Sequence, residues 1–265
     1  MKTVFILGIN SDIGFNVAKF FLKDGYKIFG TYRKKNSNIL LLQKKVNVNL
    51  CKCNVLKSKD IINLFKKLKK KNFKWDIFFS AVGTSEPIGN FFSISFKNWK
   101  KSVELNFLSQ LEVLHKLYTL KNNTANIIFL AGGGTNNPFT NYSAYCVSKI
   151  ALIKMCELLD DENKKDNFFI IGPGLTKTKT HFETLKAKKN AGRNYLRIKK
   201  FIASGKQGTS FLEIYDCIRW GIKSGRSIVG GRNVSVVHDN WKEKIIASKL
   251  KKDNNLFKLR RKNYK

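Results

Sequence analysis

The sequence predicts an α/β fold, a doubly wound parallel sheet in three layers, α/β/α. Three observations carry this. The chain opens on an apolar run, residues 4–7, that turns at Gly8 and leads into an amphipathic stretch over residues 15–22. Further short apolar runs then alternate with segments of helical period, which is how βαβ units read. The length, 265 residues, is enough to bury the core of one such domain.

Residues 4–7 have the continuous apolar character of a strand buried on both faces. In residues 15–22, Val17, Ala18, Phe20, Phe21 and Leu22 form a broad apolar face. Strand, glycine turn and helix together aim a helix N-terminus at a phosphate. Gly8 makes the tight turn, and Gly14 lets helix and backbone approach closely. The second strand, residues 27–31, ends in Tyr32-Arg33-Lys34-Lys35. The third, residues 46–55, ends in Cys53-Asn54-Val55, and a helix over 61–71 follows with an exposed lysine face. The fourth, residues 75–79, leads into Ser80-Ala81-Val82-Gly83 and a polar loop, residues 84–92, placed over the site.

A helix over residues 97–118 carries Asn106. The fifth strand, residues 126–130, ends in Ala131-Gly132-Gly133-Gly134-Thr135. The sixth, residues 167–171, leads into Gly172-Pro173-Gly174-Leu175-Thr176-Lys177-Thr178. Residues 179–210 are polar and basic, with Gly192, Gly205 and Gly208, and read as a mobile lid. A helix over 211–220 and a strand over 227–237 complete the domain.

The chemistry gathers at Tyr145-Cys146-Val147-Ser148-Lys149. A tyrosine and a lysine four apart share one helix face. An ammonium beside a phenol favours the phenolate, which makes the tyrosine a better proton donor or acceptor near neutral pH. The helix is supported by Ile150, Leu152, Ile153, Met155 and Leu159 at helical spacing.

The glycine turn and the Tyr-x3-Lys pair, in this order, resemble the short-chain dehydrogenase/reductase family, over roughly residues 1–240. That family opens with Gly-x3-Gly-x-Gly. Gly8 and Gly14 match its first and third glycines, and Asp12 stands in place of the middle one. An acidic side chain facing phosphate would repel it, so Asp12 is expected to turn outward or cap the helix. The resemblance implies a Rossmann domain that moves a hydride between a nicotinamide cofactor and a carbonyl or alcohol. It implies Tyr145 as general acid/base, Lys149 as the group that lowers its pKa and binds the nicotinamide ribose, and Asn106 as support for the proton relay.

The cofactor residues implied are Gly8, Asn10, Ser11, Asp12, Ile13 and Gly14 at the pyrophosphate, Asn54 and Val55 at the adenine, Ala81 and Gly83 beneath the dinucleotide, and Tyr145, Lys149, Pro173, Gly174 and Thr178 at the nicotinamide. At the end of the second strand an acidic residue would select NAD and a basic one NADP. No Asp or Glu stands there, and Arg33 suits a 2′-phosphate in charge and geometry. NADP(H) is therefore expected over NAD(H).

One departure is prominent. The family's catalytic serine falls at Gly132, thirteen residues before Tyr145. Thr135 is the nearest hydroxyl to take its place, with the N–H groups of Gly133 and Gly134 as further donors. A similar Gly-Gly-Gly-Thr turn occurs in dehydrogenases of surface-sugar pathways, which suggests a sugar or surface-polysaccharide substrate. The alternative is a cofactor-binding regulatory or scaffold protein with lost or impaired catalysis.

Composition sets the remaining expectations. The formal net charge is +33, but lysine is spread along the chain without an aromatic-interleaved binding motif, so no specific nucleic-acid partner is expected. The five cysteines lack a metal-type pair and the three histidines are scattered, so no metal is expected. No segment is apolar for long enough to span a bilayer and no signal peptide is evident, which points to a cytoplasmic protein without a membrane partner. The division expected is residues 1–241 as the domain carrying the site and 242–265 as a basic, mobile tail. The family resemblance implies a homo-oligomer, dimer or tetramer, acting on a small-molecule carbonyl or alcohol.

Overall fold

The computed structural model describes residues 1–261. Seven parallel strands form one sheet: β1 (Thr3–Leu7), β2 (Lys27–Tyr32), β3 (Val48–Lys52), β4 (Trp75–Ser80), β5 (Lys121–Leu130), β6 (Asn167–Gly172) and β7 (Asn233–Ser235). Their spatial order is β3-β2-β1-β4-β5-β6-β7. The order reverses between β1 and β4, and an open α/β sheet has its crevice beyond the carboxyl ends of the strands at such a point.

Alternation along each strand sends side chains to two cores. Val4 and Ile6 pack with Phe21, Phe79, Ile128 and Ile218 on one face. Phe5 and Leu7 pack with Leu64, Phe78, Val113 and Ile153 on the other. Phe5 stacks on Phe29 at 5.7 Å and on Phe78 at 5.5 Å, joining three strands on one face. Each such fully buried side chain contributes about 1.5–3 kcal/mol.

The helices follow in order: α1 (Asp12–Lys23), α2 (Ser37–Gln43), α3 (Ser58–Lys70), α4 (Phe96–Val103), α5 (Ser109–Leu117), α6 (Ser143–Glu162), α7 (Lys179–Ala187), α8 (Arg193–Ala203), α9 (Phe211–Ser224), α10 (Arg226–Val229) and α11 (Ile246–Lys252). In α1 the buried residues Gly14, Val17, Ala18 and Phe21 share one face, and Phe21 meets Tyr215 of α9 edge-on at 4.9 Å. The lysine face of α3 is exposed, as expected. Among the described residues no helix is long and apolar enough to cross a membrane.

Three expectations need correction. The helix expected over 97–118 is α4 and α5 joined by a π turn, Glu104–Leu108, which carries Asn106. A wide turn of this kind frequently marks a functional site. The strand expected over 227–237 is a short helix, α10, followed by β7. Ile228 and Val229 read as strand formers, but glycines at 225, 230 and 231 bracket them into a turn that buries both.

The stretch expected as a lid folds as two helices, α7 and α8, joined by the turn Lys188–Ala191. The expected mobile tail is docked as far as it is described, with residues 262–265 outside the described residues. Ile246 and Leu250, four apart among lysines, are buried in the core. Arg232 donates to the carbonyls of Leu250 and Asp253 at 2.7 and 3.2 Å. Arg260 pairs with Glu157 of α6. Burial pushes the Glu157 carboxyl up, but Arg260 and Lys154 outweigh it and hold the group down at about 2.

Candidate active site

The crevice at the switch point holds about 1840 Å³ and runs from Gly8 and Arg33 to Tyr145 and the α7–α8 lid. Pockets for single drug-sized ligands hold about 300–1,000 Å³, so this one has room for a long cofactor and a second molecule.

Its floor at one end is the glycine turn. Gly8 adopts φ +78°, and a Cβ there would lie 2.9 Å from Val82 Cγ2; a Cβ on Gly14 would lie 2.5 Å from the carbonyl oxygen of Gly8. The turn therefore accepts no side chain at either position; Gly8 lines the crevice, and Gly14 packs behind it against the Gly8 carbonyl. Ser11 caps α1, its Oγ accepting from Gly14 N at 3.1 Å. Asp12, expected to cap or turn outward, reaches across the crevice instead: its Oδ2 accepts from the backbone N–H of Lys179 at 2.7 Å. Asn10 donates to the carbonyl of Lys34 at 3.2 Å, and Asn36 donates to the carbonyl of Asn10 at 3.1 Å. These bonds fix the turn against the loop that presents Arg33. A helix N-terminus reached over a glycine turn, with a guanidinium beyond it, fits a dinucleotide with its diphosphate at α1.

Ile13, Asn54, Val55 and Ala81 line the same crevice. Asn54 is held by its own turn: its N–H donates to Asp60 at 2.9 Å, and its Oδ1 accepts from Leu56 N at 3.3 Å. Pro173, Gly174 and Thr178 line the far side, with Thr178 immediately before α7.

At the other end, Gly83, Asn106 and Lys149 meet. A Cβ on Gly83 would lie 3.4 Å from Asn106 Oδ1 and 3.9 Å from Lys149 Nζ. The buried Asn106 amide grips the backbone of Thr84, accepting from its N–H at 3.0 Å and donating to its carbonyl at 3.0 Å. Lys149 Nζ donates to the carbonyl of Leu130 at 2.7 Å and lies 5.9 Å from the Tyr145 ring centre.

Burial pulls the Lys149 ammonium down to about 8. Burial, then Cys146 and Glu183, push the Tyr145 phenol above its ordinary value. The expected lowering of the phenol is thus reversed in this structure. Both groups lose water, and desolvation penalises the charged form of each, while the ammonium's bond goes to a backbone carbonyl.

Gly132 lies directly against Tyr145, and a Cβ there would fall 2.1 Å from the phenolic oxygen. Thr135 turns back into its own loop, its Oγ1 donating to the Gly132 carbonyl at 3.2 Å. Among the described residues, the N–H groups of Gly133 and Gly134 have no backbone acceptor. Both glycines line the crevice.

Residues 2–189 match the family model described as short chain dehydrogenase. This chain belongs to the short-chain dehydrogenase/reductase family. Over 110 residues it is 29% identical to YIR035C, an uncharacterized oxidoreductase of Saccharomyces cerevisiae, covering 41% of this chain and 43% of the relative. In sequence, then, the chain spans less than half the length of that relative. Over 191 residues it is 23% identical to the S. cerevisiae benzil reductase ((S)-benzoin forming) IRC24, covering 67% of this chain and 72% of the relative. The fold matches the crystal structure of YIR035C with a TM-score of 0.77 at 19% identity, covering 94% of this chain and 99% of that chain.

Sequence reading of this short-chain dehydrogenase/reductase missed the contacts that hold the lid. Glu183 of α7 is buried, accepting from Ser85 N at 2.8 Å, Ser85 Oγ at 2.7 Å and Thr84 Oγ1 at 3.2 Å. Tyr142 Oη bonds Thr184 Oγ1 at 3.0 Å and accepts from Asn194 Nδ2 at 2.9 Å. A signal for Glu183 was present, since it is the one acid between Lys179 and Ser210.

Proposed function

We propose that this chain is an NADP(H)-dependent oxidoreductase that interconverts a carbonyl and an alcohol. The observation that carries this reading is the meeting of Tyr145, Lys149 and Gly83 at one end of a crevice whose other end is the glycine turn and Arg33. Nicotinamide supplies the hydride when bound. The protein's part is orientation and proton transfer. Burial keeps the Tyr145 phenol protonated at neutral pH, so Tyr145 Oη is the proton donor to the substrate oxygen. The N–H groups of Gly133 and Gly134 supply hydrogen bonds to that oxygen in place of a serine. Lys149 holds the ribose, and Asn106 fixes Thr84 and with it the wall of the site. Thr178 holds the carboxamide.

Arg33 supports NADP(H) over NAD(H). The substrate end supports a polar, hydroxylated carbonyl compound, such as a nucleotide-linked sugar. Phe139 and Tyr142 stack there with centres 4.2 Å apart, beside the amides of Asn98, Asn190 and Asn194. Amides pair with hydroxyls as both donor and acceptor. The test is to titrate the protein with NADPH and NADH, then follow nicotinamide absorbance with a carbonyl panel that includes nucleotide-linked sugars. Tighter NADPH binding and oxidation of NADPH by hydroxylated carbonyls are the expected results. Absence of any dinucleotide binding overturns the reading.

A further inference from the structure

Helix α7 lies along the crevice and is pinned at two points by carboxylates, one from α1 and one of its own. At its first residue, the Lys179 N–H donates to Asp12 Oδ2 at 2.7 Å across 167 positions of sequence. One turn later, buried Glu183 takes the Ser85 N–H and both the Ser85 and Thr84 hydroxyls. Asp12 lies at the start of α1, beside the glycine turn, yet does no capping for its own helix, because Ser11 does that. A carboxylate on the N–H of a helix N-terminus is a charge-assisted bond favoured by the helix dipole. Glu183 fixes the part of α7 near Asn106, since Asn106 holds both backbone groups of Thr84. The Asp12 bond closes the opposite end, where the glycine turn faces the crevice.

We propose that Asp12 is a positioning residue that bolts the N-terminus of α7 across the diphosphate end of the crevice, so that this bond must open each time the cofactor enters or leaves. The proposal rests on the dinucleotide reading of the crevice. It gives the departure from glycine at this position a role: a glycine there has no side chain to reach α7. Asp12 touches no reacting atom, so its effect falls on cofactor exchange. The requirement is an acceptor at this place more than a charge. Asp12→Asn keeps a carbonyl oxygen able to accept from Lys179 N–H, and Asp12→Ala removes it.

Two measurements test this. Hydrogen exchange of the protein without added nucleotide should show faster exchange at the start of α7 in Asp12→Ala, with Asp12→Asn close to wild type. Stopped-flow displacement should show NADPH leaving Asp12→Ala up to roughly tenfold faster, the scale of one lost hydrogen bond, with most of the slow release restored in Asp12→Asn. A circular dichroism melt confirms that both variants are folded. Unchanged exchange in Asp12→Ala overturns the bolt. Faster exchange with unchanged NADPH release overturns its control of the cofactor. A wild-type protein that binds no NADPH overturns the dinucleotide reading and the cofactor gate with it, while exchange still reports whether Asp12 holds α7.

Discussion

The phenolic oxygen of Tyr145 occupies the space in which a side chain on Gly132 would begin, 2.1 Å from the Cβ position, with ring carbon Cζ at 2.5 Å. Glycine at 132 and the observed place of the tyrosine therefore require each other. Restoring a serine should not improve this protein. Gly132→Ser forces the Tyr145 ring to swing aside, and a misplacement of about 1 Å can cost on the order of a hundredfold in rate. The expected result is a fall in turnover of that order with NADPH affinity nearly unchanged. A gain in turnover would mean that the tyrosine works from another position.

Thr135 is the nearest hydroxyl in sequence to the place of the missing serine, but its Oγ1 is bonded to the carbonyl of Gly132. If the glycine N–H groups serve the substrate oxygen, Thr135→Val should change the rate by less than about threefold, well below the roughly hundredfold to thousandfold typical of a lost oxyanion donor. A loss in that larger range assigns the donor to Thr135.

Cofactor choice is predicted from Arg33. Arg33→Ala should weaken NADPH binding roughly tenfold to a hundredfold, the scale of one charge-assisted contact, and leave NADH binding nearly unchanged. Calorimetric titration with both nucleotides measures this. Equal affinity of the wild type for the two would remove Arg33 from the cofactor site.

The pH dependence follows from Lys149. Burial lowers its pKa to about 8, so the ammonium is present below that pH and lost above it. Since kcat/KM for the cofactor reports ionisations of the free protein, it should fall as pH rises through about 8. Lys149→Arg should be slower but should lack that limb, because a guanidinium keeps its charge. A wild-type profile that stays level well above this pH contradicts the assignment.

The fold was legible because buried parallel strands read as continuous apolar runs, as in Val4 to Leu7, and because Tyr145 and Lys149 announce a helix face by spacing alone. Elements failed where local pattern and context conflicted. Ile228 and Val229 look like strand residues, and only the surrounding glycines make them a helical turn. Ile246 and Leu250 are hidden among lysines that a charge count reads as a tail. In the site, residue identities were legible but their relations were not. Asp12 was conspicuous as a charge where glycine was expected, but its partner lies 167 residues away, beyond any local rule. Spacing places a lysine near the Tyr145 phenol but does not report the burial that pushes the phenol up.

The central claim is that Tyr145 transfers the proton in an NADPH-dependent carbonyl reduction. The most direct measurement compares wild type and Tyr145→Phe for NADPH affinity and for turnover on the same carbonyl substrate. The substitution keeps the ring against Gly132 and removes only the hydroxyl. Binding should be nearly unchanged, and turnover should fall by at least the roughly hundredfold typical of a lost acid/base group. Equal turnover by Tyr145→Phe, or a wild type that binds NADPH and reduces nothing in a broad carbonyl panel, would contradict the claim.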